Sequence, residues 1–142
     1  MVLGEFYEDR EPYDAILREA GAAGAVTMSG DYVPSEAVGD YFSASDLVVL
    51  PYRSATQSGI VQVAYQLERP VLVTRVGGLE EMVRDGESGM IVAPDDLSAL
   101  AGAVGRFYDS ALETGLVEGV RRMKAGMGWD SMAAAIERLA RG

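Results

Sequence analysis

Short apolar runs alternate with amphipathic segments along the whole chain. The apolar runs have the length of strands, and they occupy residues 2–4, 25–28, 47–50, 70–74 and 89–92. The other segments have the apolar spacing of helices, over residues 12–19, 35–42, 58–69, 79–83, 94–107, 111–125 and 131–140. The run at 47–50 is almost continuously apolar, which is typical of a strand covered by helices on both faces. The pattern therefore predicts an α/β layered domain whose strands are parallel.

Residues 46–70 form the central unit of this pattern, a strand followed by a polar turn and a helix. The turn covers residues 53–58, and the helix begins at Ser58 and Gly59 and ends before Pro70. A turn in this position has unpaired N–H groups and the positive end of the helix dipole beside it, and both favour an anion. The turn is therefore the first candidate ligand site, although such units also occur as plain scaffold.

The composition restricts the chemistry that the chain can perform. Its 142 residues suffice for one compact domain with its own core. The sequence has no Cys and no His, which excludes disulfides, thiolate metal sites and imidazole-based catalysis. The formal net charge of −10 argues against nucleic acid as a partner. A phosphorylated ligand must therefore be bound locally, by helix N-termini and a few Arg side chains.

The sequence lacks the usual signals of a membrane or secreted protein. No apolar run approaches the roughly 20 residues of a bilayer-spanning helix. Residues 1–10 have neither a basic leader nor a long apolar stretch, so they do not resemble a signal peptide. We therefore expect a cytoplasmic protein. Because Met1 leaves too few residues for a complete first strand, we also expect the sequence to begin within an element.

Three loops at strand ends are expected to meet at one edge of the sheet, where open α/β sheets bind ligands. They are residues 30–34, 52–59 and 75–78. The second loop offers hydroxyl, amide and backbone N–H groups, from Thr56, Gln57, Ser58 and Gly59. The third offers a pair of glycines whose backbone can approach a ligand closely, Gly77 and Gly78. Together these groups are candidates for a diphosphate cradle.

Each of these candidates also has a purely structural explanation. Ser58 is a favourable N-cap for the helix that follows it. The glycine pair is equally suited to an ordinary turn. Arg53 and Arg75, which lie in the same loops, could be surface charges. Neither the classical phosphate loop nor the dinucleotide-binding glycine pattern is present.

The sequence of residues 46–94 carries a resemblance to a known family. It reads DLVVLPYRSATQSGIVQVAYQLERPVLVTRVGGLEEMVRDGESGMIVAP. The strand ending in Pro-Tyr, the Ser-Gly pair, the run V-G-G-L-x-E-x-V-x-D-G and the final G-x-x-V-x-P-D resemble the C-terminal domain of group 1 (family 4) glycosyltransferases of GT-B architecture. The similarity extends over nearly the whole chain. It implies a single Rossmann-like domain over residues 1–142, with a doubly wound parallel sheet, helices on both faces and a helical tail over about 111–142.

In that family the C-terminal domain binds a nucleotide-sugar donor, with the diphosphate at the start of the helix after the Pro-Tyr strand. The resemblance therefore implies phosphate and sugar contacts from Thr56, Gln57, Ser58 and Gly59, with Gly77 and Gly78 nearby. It places the nucleotide base against Tyr32 and Val33. It implies neither a metal nor another cofactor, because the reaction depends mainly on stabilising the leaving diphosphate. No residue of this chain is identified as catalytic.

The sequence departs from the family pattern at two acidic positions. Many members have two Glu residues, one contacting the donor sugar and one the ribose. Their positions correspond here to Ala55 and Val63, which cannot accept a hydrogen bond from a hydroxyl. Gln62 or Gln66 is then a candidate ribose contact.

A second departure concerns segments that would precede Met1. The family's Arg and Lys for the diphosphate lie in an earlier strand, loop and helix, and the acceptor domain is earlier still. We therefore expect this chain to lack its first strand, with an open sheet edge beside residues 47–50. The implied function is donor binding within a retaining glycosyltransferase, inactive as a fragment, whose missing N-terminal domain would bind the acceptor and make any peripheral membrane contact. The alternatives are a non-catalytic binding or scaffold module and, less favoured, a small dinucleotide-binding or receiver-like domain.

Overall fold

A computed structural model describes residues 1–126 and 136–139 of the chain. The chain forms two compact units, Met1–Asp40 and a second unit that begins at Tyr41. The expected single domain therefore stays a prediction. Residues 136–139 are helical. The rest of the predicted helix at 131–140 lies outside the described residues.

The first unit is built on a pair of short parallel strands. Strand β1, Val2–Leu3, pairs with β2, Met28–Ser29, and helix α1, Glu11–Glu19, connects them. The sequence predicts the second strand at 25–28, but Ala25 lies in a turn. The N–H groups of Ala25 and Val26 both donate to the carbonyl oxygen of Ala22, which keeps this segment out of the sheet.

The second unit contains a three-stranded parallel sheet. Its strands are β3 (Val48–Leu50), β4 (Val71–Thr74) and β5 (Gly89–Val92), in the order β3-β4-β5. Each strand runs parallel to its neighbour, so the predicted parallel α/β architecture is confirmed. The helices are α2 (Ser35–Ser43), which spans the boundary between the units, α3 (Gly59–Gln66), α4 (Leu79–Met82), α5 (Leu97–Asp109) and α6 (Leu112–Gly126).

The core of the second unit lies on both faces of β4, whose four residues are all buried. Val71 and Val73 pack on one face, in a cluster with Val61, Ala64 and Tyr65 of α3 and Val120 of α6. Leu72 points to the other face, where the partners are Ala103 and Phe107 of α5 and Leu116 of α6. Because successive strand residues face opposite sides, an unbroken apolar strand requires helices on both. The predicted layering is confirmed.

Strand β3 is an edge strand among the described residues. Its three residues pair with β4 on one side, and no described strand pairs with its other side. Val49 remains partly exposed at this edge, although its neighbour Leu50 is buried. The sequence predicts an open edge beside residues 47–50, and β3 has such an edge among the described residues.

Helix α3 has a well-defined end that leads directly into β4. The chain turns at Glu68, which has a φ of 58°, and Pro70 prevents further helix. The Glu68 carboxylate is hydrogen-bonded by Arg121 at 2.7 Å and Lys124 at 3.2 Å, both from α6. These contacts tie the end of α3 to α6, so the position of α3 is fixed at the end opposite the candidate turn.

Candidate functional site

The candidate turn of residues 53–58 lies at the carboxyl end of β3 and leads into α3. Because the three strands are parallel, the loops after β4 and β5 leave the sheet at the same edge. Thr56, Gln57 and Gly59 are exposed there. This edge of the second unit therefore contains most of the predicted site residues.

Ser58 occupies the N-cap position of α3 without making the usual capping hydrogen bond. Its backbone is extended, with φ −133° and ψ 115°, and its side chain accepts no hydrogen bond from the first turn of the helix. By contrast, the Asp96 side chain caps α5 by accepting from the Ala99 N–H at 2.8 Å. Ser58 thus occupies the predicted N-cap position, but it does not make the hydrogen bond that an N-cap Ser usually makes. The N–H groups at the start of α3 are left without a side-chain acceptor from Ser58.

The loops after β3 and β4 are in direct contact, as the sequence predicts. The Gly78 N–H donates to the Thr56 carbonyl oxygen at 3.0 Å. The Thr74 hydroxyl donates to the carbonyl oxygen of Tyr52, the residue just before the turn. The loop of residues 52–59 is therefore hydrogen-bonded at two points to β4 and the loop that follows it.

Ala55 and Val63, the positions that the resemblance assigns to two Glu residues, occupy different environments. Ala55 is half-buried and packs against the apolar cluster under α3. Val63 is 37% exposed on α3, next to the exposed Gln62. The structure places Gln62 on the helix that begins at the turn, and its predicted ribose contact stays a prediction.

The two Arg residues of this edge are both paired with carboxylates. Arg53 Nε donates to Asp95 Oδ1 at 3.0 Å, and this links the loop after β3 to the loop after β5. Arg75 Nη1 donates to Glu80 Oε2 at 2.9 Å. Asp95 has a φ of 56°, which is unusual for a residue other than Gly. Sequence reasoning missed the pair between Arg53 and Asp95, which no local pattern signals.

Tyr32 and Val33 belong to the first unit. The Tyr32 side chain is 71% exposed, and Val33 is half-buried. The predicted contact of this segment with a nucleotide base stays a prediction.

A separate cavity in the first unit contains none of the predicted site residues. It has a volume of about 300 Å³ and is lined by Arg10, Asp14, Leu17, Arg18, Ala23, Val26 and Met28. Its two Arg side chains are already paired, Arg10 with Asp14 and Arg18 with Glu11.

Among residues 1–126 and 136–139, no helix is both long enough and apolar enough to cross a bilayer. In the same part of the chain, no three Asp, Glu, His or Cys side chains form a group that could hold a metal ion.

Comparison with known proteins defines the class and then the family. The fold matches sucrose-phosphate synthase from Thermosynechococcus elongatus with a TM-score of 0.77 and 28% identity, covering 98% of this chain and 37% of that one. It also matches Anabaena HepE, solved in complex with UDP, with a TM-score of 0.70 and 17% identity, over 99% of this chain and 40% of that one. These likenesses define a domain of GT-B glycosyltransferase architecture.

Sequence comparison gives the family. The family model described as "Glycosyl transferases group 1" matches residues 1–110, so the chain belongs to this family. A D-inositol 3-phosphate glycosyltransferase of Acidothermus cellulolyticus is 32% identical over 122 residues, which are 86% of this chain and 27% of the relative. One from Catenulispora acidiphila is 30% identical over 137 residues, 96% of this chain and 32% of the relative. The chain thus spans about a quarter to a third of these relatives, and it corresponds to the C-terminal domain of a group 1 glycosyltransferase.

Proposed function

We propose that this chain supplies the donor site of a glycosyltransferase that moves a sugar from a nucleoside-diphosphate sugar to an acceptor, with retention of configuration. The observation that carries the proposal is the turn before α3, at the carboxyl edge of a parallel sheet. The N-terminus of α3 begins at this turn, and the Ser58 side chain makes no capping hydrogen bond to it. An anion is stabilised there by N–H groups and by the helix dipole. The family match and the UDP complex of HepE support the same ligand class.

The chemistry required of this site is stabilisation of charge on the leaving diphosphate. Preorganised N–H dipoles do this without rearranging during the reaction. The turn meets that requirement, because its loop, residues 52–59, is hydrogen-bonded at Tyr52 and Thr56 to β4 and the loop that follows it. Its exposed Thr56 hydroxyl and Gln57 amide are available for the sugar or the phosphates.

The local charges give little additional help to a diphosphate. The net charge of the chain is −10, and both Arg53 and Arg75 are already paired with carboxylates. We therefore expect this chain alone to bind nucleoside diphosphates weakly and to transfer no sugar. The chain spans only part of the length of its relatives. In a protein of their length, we propose that an N-terminal domain would bind the acceptor and that additional cations would contact the diphosphate.

A non-catalytic binding module is the second candidate function. The half-buried Ala55 and the partly exposed Val63 favour it, since neither can replace a carboxylate as a hydrogen-bond acceptor. Such a module would bind a nucleotide without activating the sugar. Release of sugar from a donor by the longer protein would exclude this candidate.

Titration calorimetry tests donor binding. The chain is titrated with uridine, guanosine and thymidine diphosphates, each at millimolar concentration. Saturable heat with one of them, reduced in the variant Ser58→Ala, supports the proposed site. The absence of heat with all three, both for this chain and for a longer protein that includes the acceptor domain, would refute it.

A further inference from the structure

The glycine pair after β4 lies directly against the backbone of the turn after β3. A Cβ atom placed on Gly77 would lie 2.8 Å from the carbonyl carbon of Ala55 and still closer to its oxygen. One placed on Gly78 would overlap the carbonyl oxygen of Thr56. The space that a side chain would occupy at both positions is therefore filled by the turn itself.

Gly77 and Gly86 have similar backbones and different surroundings. Gly77 has a φ of 50° and Gly86 a φ of 76°, and both values favour glycine. No atom lies within 4 Å of a Cβ placed on Gly86. Gly86 is thus required by its conformation alone, whereas Gly77 is also required by its contact with Ala55.

The elements on both sides of this contact are anchored in the same apolar cluster. Ala55 packs against it from the turn, and Val76 does so from the loop after β4. Leu79, which begins α4 just after the glycine pair, is fully buried in it. With apolar anchors on both sides, the hydrogen bond from Gly78 to Thr56 holds two packed segments rather than two free loops.

We propose that Gly77 and Gly78 are positioning residues, which set the backbone of residues 55–58 so that the N–H groups at the start of α3 face the diphosphate. This role rests on the proposed donor function. It explains the absence of a side chain at both positions by packing against the turn, rather than by close approach of a ligand. Small displacements of such a site are costly, since a shift of about 1 Å can reduce a rate about 100-fold.

Two pairs of variants test the positioning role. Gly77→Ala is compared with Gly86→Ala, because both place an L side chain at positive φ and only the first has Ala55 in its way. Gly78→Ala is compared with Gly115→Ala in α6, where no atom lies within 4 Å of the added carbon. Gly78 has a φ of −79°, so its substitution adds no conformational strain of its own.

Amide NMR spectra of the ligand-free variants give the primary readout. Gly77→Ala and Gly78→Ala are expected to shift the amide signals of Thr56 to Gly59, and the two controls are not. UDP affinity, measured where circular dichroism shows every variant folded, is expected to fall by about tenfold or more in the first two variants only. Unchanged turn signals, or affinities that follow thermal stability equally in all four variants, would overturn the proposal.

A measurement on the unaltered chain covers variants that do not fold. A scalar coupling across the hydrogen bond from the Gly78 N–H to the Thr56 carbonyl group is expected, and its absence would overturn the proposal. Failure of the donor function can be distinguished from failure of the positioning role. If the unaltered chain and the longer protein bind no nucleoside diphosphate, the donor function fails, whereas the spectra of the ligand-free variants still show whether the glycine pair sets the turn.

Discussion

Replacing Ser58 by Ala separates a structural role of this residue from a ligand-binding role. A Ser that caps a helix typically contributes about 1 kcal/mol, through the hydrogen bond that its oxygen accepts. Ser58 makes no such bond, although it is buried at the N-cap position. Because Ser58→Ala breaks no capping bond and leaves no capping partner unsatisfied, we expect it to lower the free energy of unfolding by less than the roughly 1 kcal/mol of a lost cap. A hydroxyl that donates to a phosphate contributes about 1.5 kcal/mol or more, so affinity for UDP should fall about tenfold.

Asp96→Ala is the matched control, because Asp96 does cap its helix. Its side chain accepts from the Ala99 N–H at 2.8 Å, and it is not among the predicted site residues. Urea unfolding should show a loss of about 1 kcal/mol for this variant, and calorimetry should show unchanged affinity for UDP. The reasoning is refuted if Ser58→Ala destabilises the chain as much as Asp96→Ala and leaves UDP affinity intact.

Two further predictions concern stability. Ser88 Oγ is hydrogen-bonded both to the buried Tyr65 hydroxyl at 2.7 Å and to the Arg84 N–H at 3.1 Å. Ser88→Ala should therefore lower the free energy of unfolding in urea by about 2–4 kcal/mol, and Tyr65→Phe by only about 1 kcal/mol. Equal losses in the two variants would contradict this. Hydrogen bonds, chiefly from Arg121, lower the pKa of Glu68, so its stabilising contribution is present above the ordinary carboxyl pKa of about 4.3 and is lost as the pH falls through the lowered value. Glu68→Gln should therefore lower the Tm at neutral pH but not in strong acid, and a Tm difference independent of pH would argue against these bonds.

The strands and helices of the second unit could be predicted because their patterns are strong. The predicted strand at 89–92 coincides with β5, Gly89–Val92, and β4 differs from its prediction only at Pro70. The strand predicted at 25–28 was wrong in its bounds, since β2 is Met28–Ser29, because a segment rich in Gly and Ala has little periodicity and forms a turn through Ala22. Likewise, α6 begins after Ala111, whose φ of 49° is not helical. Local backbone geometry of this kind cannot be predicted from the pattern of apolar residues.

The candidate site could be predicted as a set of loops but not as a set of contacts. The rule for parallel sheets correctly brings the loops after β3 and β4 together. It does not indicate that the Gly78 N–H bonds Thr56, because that contact depends on how closely two loops pack. The pairing of Arg53 with Asp95 could not be predicted from the sequence either, since the two residues are 42 positions apart and each resembles an ordinary surface charge.

The claim that a nucleoside diphosphate binds at the start of α3 is tested most directly by an amide NMR titration of this 142-residue chain with UDP. Weak, millimolar binding is sufficient, because the signals move in proportion to the bound fraction. We predict that the largest shifts occur at Thr56 to Ile60, and that about tenfold more UDP is needed to produce them in Ser58→Ala. Saturable shifts centred elsewhere, such as on the cavity beside Arg10 and Arg18, or no shift with uridine, guanosine or thymidine diphosphate, would contradict the claim.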